Sequence, residues 1–197
     1  MIILGSGSPR RRELLEQIGA SFRVAVSSAP ELKGDDLAPA ELTQRNALAK
    51  AEAVAAQPEQ AGQWVLGADT VVALDGHIYG KPVDAADAMR MLAELSGRTH
   101  EVTTGLAFAR YQPGMAVSES STASVTTEVT MRELSEAEIR EYVQTGEPLD
   151  KAGAYGIQGR AAVFITSIAG SYSNVVGLPL ARTAELAREV GAELWER

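Results

Sequence analysis

The spacing of apolar positions changes several times along this chain of 197 residues, and each change predicts a change of element. The apolar run Met1–Leu4 predicts a short buried strand, and Phe22–Val26 a second. Between them Ser8 stands where a helix cap belongs. Pro9 follows as first helical residue, where its fixed φ is favourable and its missing N–H costs nothing. That helix runs through about Ile18, and Gly19 stops it. Pro39–Ala56 is dense in Ala and Leu and contains no Gly, the composition of a strong helix. Trp64–Leu66 begins another buried strand. Thr70–Leu74, Asp75-Gly76 and His77–Tyr79 read as a hairpin, closed by an Asp-Gly turn whose twist suits paired strands.

Asp84–Leu95 predicts a further helix, stopped by Gly97. Thr99–Arg110 and Ala116–Met131 predict two long strands joined through Gln112-Pro113-Gly114. The Ser, Thr and Val of the second suit an exposed face of an antiparallel sheet. Ser135 and Glu138 have capping-box spacing and open a helix that ends before Gly146. Ala161–Ile168 and Val175–Val176 are strand candidates, and Pro179–Val190 a closing helix. No repeat or linker-like tract interrupts this order, and Gly153–Gly159 is too short and aromatic to divide domains. The expectation is one α/β domain over residues 1–197, with two lobes around a cleft.

Composition excludes several chemistries. The chain has no cysteine, which removes disulfides, Cys-ligated zinc, iron–sulfur clusters and thiol nucleophiles. Two histidines, His77 and His100, do not make a multi-histidine metal site, and structural or surface roles are expected for both. A net charge of −8 opposes a surface that tracks a nucleic acid polymer or an anionic membrane. No segment approaches the roughly 18 apolar residues of a membrane helix. The apolar start is shorter than a secretory signal and precedes its charges rather than following them. A cytoplasmic protein is expected.

Against that acidic background, Ser6-Gly7-Ser8-Pro9-Arg10-Arg11-Arg12 stands out. A helix N-terminus carries partial positive charge and favours Asp or Glu, yet this first turn holds arginines and no acid. An anion would resolve the conflict: backbone amides, hydroxyls and guanidinium groups then converge on phosphate. The alternative is a surface helix whose arginines extend into water. In Gly67-Ala68-Asp69-Thr70, a buried strand runs into an acid and sets a carboxylate at the carboxyl edge of a sheet, where open α/β folds bind ligands. Such an Asp holds a divalent metal or activates water; the alternative is a turn aspartate bonded to its own backbone. Lys81-Pro82 returns a cation toward the same edge. Lys50 shares a helix face with Asn46, and Glu31 lies in a polar loop with Asp35 and Asp36; taken in isolation, simple solvation is the favoured account of both. No P-loop, no G-x-G-x-x-G and no G-x-S-x-G occurs. A small polyanionic substrate, neutralised by metal, fits this set.

Seven blocks in order resemble the Maf family: S-G-S-P-R-R-R-E-L-L at 6–15, N-A-L-A-K-A at 46–51, G-A-D-T-V-V at 67–72, G-K-P at 80–82, L-S-G-R-T-H-E-V at 95–102, E-P-L-D-K-A-G-A-Y-G-I-Q-G at 147–159 and G-S-Y-S-N-V-V-G-L-P-L at 170–180. The resemblance implies a nucleoside triphosphate pyrophosphatase that releases a monophosphate and pyrophosphate with Mg²⁺ or Mn²⁺. It also implies a homodimer and a long mixed sheet of the inosine-triphosphate-pyrophosphatase kind. The segment ending in Gln158 is similar to the branch acting on dTTP and UTP. By position, Asp69 matches the family's proton acceptor; Arg10, Thr70 and Gln158 match its substrate-choice positions; and Ser8, Arg11, Lys50 and Lys81 resemble its phosphate-binding residues. Asp69 and Glu31 are the implied metal ligands, although Ala29-Pro30-Glu31-Leu32 departs from the family's usual Asp-Glu turn. Two alternatives stand beside this reading. One is a nucleotide-binding regulator of septum formation whose turnover is incidental, and the other is the same chemistry on a modified purine, which the Gln158 segment opposes.

Overall fold

The apolar N-terminal run is buried as strand β1 (Ile2–Leu4) in a computed structural model that describes residues 1–34, 36–112 and 119–195. The chain continues through α1 (Pro9–Gln17), β2 (Phe22–Val24), α2 (Pro39–Ala55), β3 (Val65–Leu74), β4 (His77–Tyr79) and α3 (Ala85–Leu95). After these come β5 (Thr99–Arg110), β6 (Glu119–Met131), α4 (Glu136–Gln144), β7 (Ile165–Ala169), α5 (Tyr172–Val176) and α6 (Leu180–Val190). The strands form one mixed sheet in the order β2-β1-β3-β5-β6-β7, with β4 paired to β3 beside that path. Only β1 pairs in parallel, with β2 and with β3. The α/β class with a long mixed sheet flanked by helices is as expected. No helix of the described residues is long and apolar enough to cross a membrane.

Local signals explain most element ends. Pro9 and Pro39 each open a helix, Asp84 accepts the Asp87 N–H, and Ser135 with Glu138 makes both bonds of a capping box. Asp75 and Gly76 both take positive φ, as the two-residue hairpin turn requires. Three expectations need correction. Ser8 stands at the cap position of α1 but makes no side-chain cap; its N–H instead donates to Ser6 Oγ at 3.3 Å. The strand expected over Ala161–Ile168 begins at Ile165, because Arg160–Phe164 winds as a 3₁₀ turn that buries Ala161 and Phe164, three apart, on one side. Val175–Val176 is helical: Ser171 Oγ caps α5 by accepting the Asn174 N–H, which outweighs the strand preference of two valines. Pro113-Gly114 of the expected turn, residues 116–118 of the strand after it, and Asp35 lie outside the described residues.

Strand β3 joins two cores. Leu66 and Ala68 pack with Leu14, Leu15, Phe108 and Leu186 beneath α1 and α6. Val72 and Leu74, further along the same strand face, pack with Leu92, Leu95, Val129 and Ile139 beneath α3 and α4. On the opposite face Val65 meets Ala47, Ala51 and Val54 of α2. One edge of β3 is paired with β5 from Val65 to Ala73. Along the other, β1 accompanies only Val65 and Leu66, and β4 only Val72–Leu74. The stretch 67–71 lies open between them, and the cleft begins there. Asp69 is therefore in the middle of a strand, not past its end. It still lies beyond the carboxyl end of β1, in the gap that β1 and β4 leave.

Candidate active site

Two glycines determine how closely α2 lies on the sheet. A Cβ at Gly67 would meet the Ala47 carbonyl oxygen. One at Gly105, the β5 residue paired with Asp69, would meet the backbone of Thr43 and Gln44. Without those carbons α2 approaches β3 and β5 directly. Its residues Asn46 and Lys50, one turn apart on one face, then come down on Asp69.

Asp69 is 8% exposed. Lys50 Nζ donates to its Oδ1 at 2.7 Å, and Asn46 Nδ2 donates to its Oδ2 at 2.9 Å. The same ammonium lies 2.6 Å from Glu31 Oε1, so one cation stands between two carboxylates. Burial would raise the Glu31 carboxyl, but the hydrogen bond and charge of Lys50 outweigh it and hold the group below its ordinary range. Glu31 thus reaches the site although its local sequence departs from the family pattern.

The start of α1 forms the neighbouring wall, with no acid in its first turn. Arg11 donates from Nε to the Gly177 carbonyl at 2.8 Å, from Nη1 to Ser6 Oγ at 3.1 Å and from Nη2 to Thr70 Oγ1 at 3.1 Å. It ties three segments together, and among the described residues two of its five N–H groups have no hydrogen-bond acceptor. Burial lowers the Arg11 pKa, and the charge of Asp69 offsets only part of that. Arg10 Nη1 reaches across the cleft to Asp150 Oδ2 at 3.1 Å. Arg12 turns away and pairs with Glu16, so two arginines face the cleft, not three.

These residues line two adjoining hollows. One, of about 320 Å³, is walled by Gly5–Arg11 with Lys50 and Lys81 and is mainly cationic. The other, of about 400 Å³, has Asp69 and Thr70 at its edge and Leu42, Val72, Val102, Tyr155, Ile157 and Val176 along its walls. Ser8, Arg10, Arg11, Glu31, Lys50 and Lys81 border both. Gln158 is exposed on the wall of the apolar hollow, in the turn after Tyr155. Every site residue expected from the sequence thus borders one connected cleft.

Three participants had no role in the sequence reading. Asn46 entered only as a spacing mark for Lys50. Asp150 and Lys151 lie within a family block, yet nothing local shows that Asp150 accepts from Arg10, 140 residues away, or that Lys151 Nζ donates to Asp150 Oδ1 at 2.6 Å and to the Glu147 carbonyl at 2.8 Å. His100 is buried, as a structural histidine should be, with Nε2 2.7 Å from the Tyr155 hydroxyl.

Among the described residues no three His, Asp or Glu side chains gather into a cage. Asp69 and Glu31 do converge, on an ammonium that stands where their charges meet. Mg²⁺ is commonly held by one or two carboxylates with substrate phosphates and water completing its shell. The pair fits a metal shared with a polyphosphate.

The chain matches the family model described as Maf-like protein over residues 1–190. A protein of Symbiobacterium thermophilum named dTTP/UTP pyrophosphatase is 50% identical over 190 residues, covering 96% of this chain and 94% of its own. Proteins of the same name from Geobacter sulfurreducens and Bacillus cytotoxicus are 50% and 51% identical, covering 97% and 95% of this chain and 97% and 93% of theirs. The ordered blocks, the cleft they border and a match along almost the whole length agree: this chain belongs to the Maf family.

Proposed function

We propose that this protein hydrolyses dTTP and UTP to the nucleoside monophosphate and pyrophosphate. The observation that carries the reading is the place of Asp69. It lines the larger hollow, whose apolar walls could hold a base, and its partner Lys50 borders both that hollow and the cationic one of triphosphate size. With terminal phosphates in the first and the base in the second, the innermost phosphorus falls beside Asp69. The names of the relatives point to the same substrates.

Phosphoanhydride hydrolysis leaves little covalent work to the protein; positioning and charge stabilisation dominate. Arg10, Lys81, Ser8 and the free N–H groups of Arg11 would bind the phosphates, with Lys50 adding its charge near the reacting one. Asp69 would orient the attacking water and take its proton. Lys50 and Asn46 occupy one position on each carboxylate oxygen, and an ionised carboxylate has about four, so acceptor sites remain. Asp69 and Glu31 would hold a divalent cation, whose charge lowers the pKa of water and offsets that building on phosphate. Gln158, with Thr70 and Arg10, would set substrate choice.

Incubating dTTP and UTP with the protein and Mg²⁺ or Mn²⁺, and separating the products, tests the reading. dTMP with pyrophosphate is expected. dTDP with orthophosphate would place the attack on the wrong phosphorus and overturn it.

A further inference from the structure

Asn46 is 3% exposed, and its amide makes three hydrogen bonds. The Leu32 N–H donates to Oδ1 at 2.8 Å. Nδ2 donates to the Leu32 carbonyl at 3.1 Å and to Asp69 Oδ2 at 2.9 Å. The orientation of the amide is forced by its surroundings. A backbone N–H requires an acceptor, so Oδ1 faces Leu32, and the two Nδ2 hydrogens then meet two acceptors. Aspartate has the same shape but would set a carboxylate oxygen against both the Leu32 carbonyl and Asp69. Leucine would leave all three partners unmet.

The bonds to Leu32 fix a loop that burial does not. Residues 30–34 are exposed, and the Leu32 side chain is 50% exposed. Among the described residues, the pair of backbone bonds from Asn46 and the ion pair from Glu31 to Lys50 hold this stretch against α2. A closed circuit results, from Asp69 through Asn46 to Leu32, along the chain to Glu31, and back through Lys50 to Asp69.

We propose that Asn46 is a positioning residue that acts through Asp69. One amide fixes the plane of the carboxylate and docks the loop carrying Glu31, so the two acids are set together. This rests on the reading of Asp69 as the group that activates water. The test is a double-mutant cycle of Asn46→Ala with Asp69→Ala on dTTP, with hydrogen exchange of the Leu32 amide measured in each protein. In the Asp69 background, Asn46→Ala should lower kcat about 10- to 100-fold with KM changed by less than about threefold, the range for losing a bond to a charged group. In the Asp69→Ala background the same change should cost several-fold less, the remainder being the loss of the docked loop that carries Glu31. The Leu32 amide should exchange at least about tenfold faster in Asn46→Ala and be unaltered in Asp69→Ala. Asn46→Asp, which keeps an acceptor for that N–H but sets an oxygen against the Leu32 carbonyl, should lose kcat while the Leu32 amide exchanges more slowly than in Asn46→Ala. Equal losses in both backgrounds, a loss confined to KM, or unaltered Leu32 exchange in Asn46→Ala would overturn the proposal. A parent protein that makes no dTMP from dTTP would instead overturn the functional reading, and the Leu32 exchange would still decide whether Asn46 holds the loop.

Discussion

Lys50 Nζ stands 2.7 Å from Asp69 Oδ1, a pairing of two largely buried side chains separated by 19 residues in the sequence. Burying a lone carboxylate is costly, and a second carboxylate beside it adds to that cost. The ammonium answers both at once, since Glu31 also accepts from it. The ammonium thus meets one oxygen of each carboxylate and forms a rigid bidentate pair with neither.

Asp69→Asn separates chemistry from folding. Lys50 keeps Glu31 as a partner, so the ammonium is not stranded. The new amide cannot take a proton, and its NH₂ would face either Lys50 or the Nδ2 of Asn46, donor against donor. Turnover of dTTP should fall by about two to four orders of magnitude, the range for losing a positioned general base. Calorimetric titration with dTTP should show binding largely retained. Near-normal turnover would remove Asp69 from the mechanism.

Gly105→Ala should damage the site from beneath. The added carbon meets the backbone of Thr43 and Gln44, so α2 must rise from the sheet. Such overpacking costs about 1–3 kcal/mol. Urea unfolding should show that loss, and kcat should fall with it, because Asn46 and Lys50 rise with the helix. Unaltered stability would mean that α2 yields locally without cost.

Much of this was legible from local pattern, and what was missed shares one cause. Pro9 and Pro39 mark helix starts by their fixed φ, and Asp84 and the Ser135–Glu138 box do so through bonds that close within a turn, so the local sequence displays each signal whole. Asp69 is different. Residues Val65–Leu74 are buried almost throughout, so no alternation shows that one strand passes through the acid. Its partners, Lys50 and Asn46, lie one α-helix earlier. The link from Arg10 to Asp150 spans most of the chain. Ordered family blocks pointed to candidate residues where periodicity could not, but only the fold shows Asn46 as a contact of Asp69 and Arg12 turned away from the cleft.

His100 makes stability depend on pH in a calculable direction. Burial lowers its pKa to about 4 from 6.5. The folded protein keeps the ring neutral while the unfolded chain takes up a proton below pH 6.5, so stability is intact above that value and declines as pH falls toward 4. By pH 5 the loss should be about 2 kcal/mol. Urea unfolding at pH 7.5 and pH 5 should show it in the parent protein. His100→Gln should be less stable at pH 7.5 yet lose less between the two. Parallel losses in both proteins would assign the pH dependence elsewhere.

The choice of base should rest on Gln158, and its setting makes the substitution informative. The turn that carries it is pinned from behind: Glu147 accepts from the Arg160 N–H at 3.1 Å and from the Tyr142 hydroxyl at 3.0 Å. Exchanging an exposed side chain in that turn should leave the fold intact. Uracil and thymine present a carbonyl acceptor beside an N3–H donor, and a glutamine amide offers the matching donor and acceptor on one planar group. Guanine presents two N–H donors beside its O6, which a carboxylate suits better. Gln158→Glu sets a negative acceptor against the pyrimidine carbonyl and leaves it unpaired, at about 1–3 kcal/mol, or roughly 5- to 150-fold in discrimination. The ratio of kcat/KM for dTTP to that for GTP should fall by that factor, whereas the dependence on Mg²⁺ should not move, because the phosphate contacts are untouched. Equal losses on every base would show that Gln158 supports its turn and does not read the base.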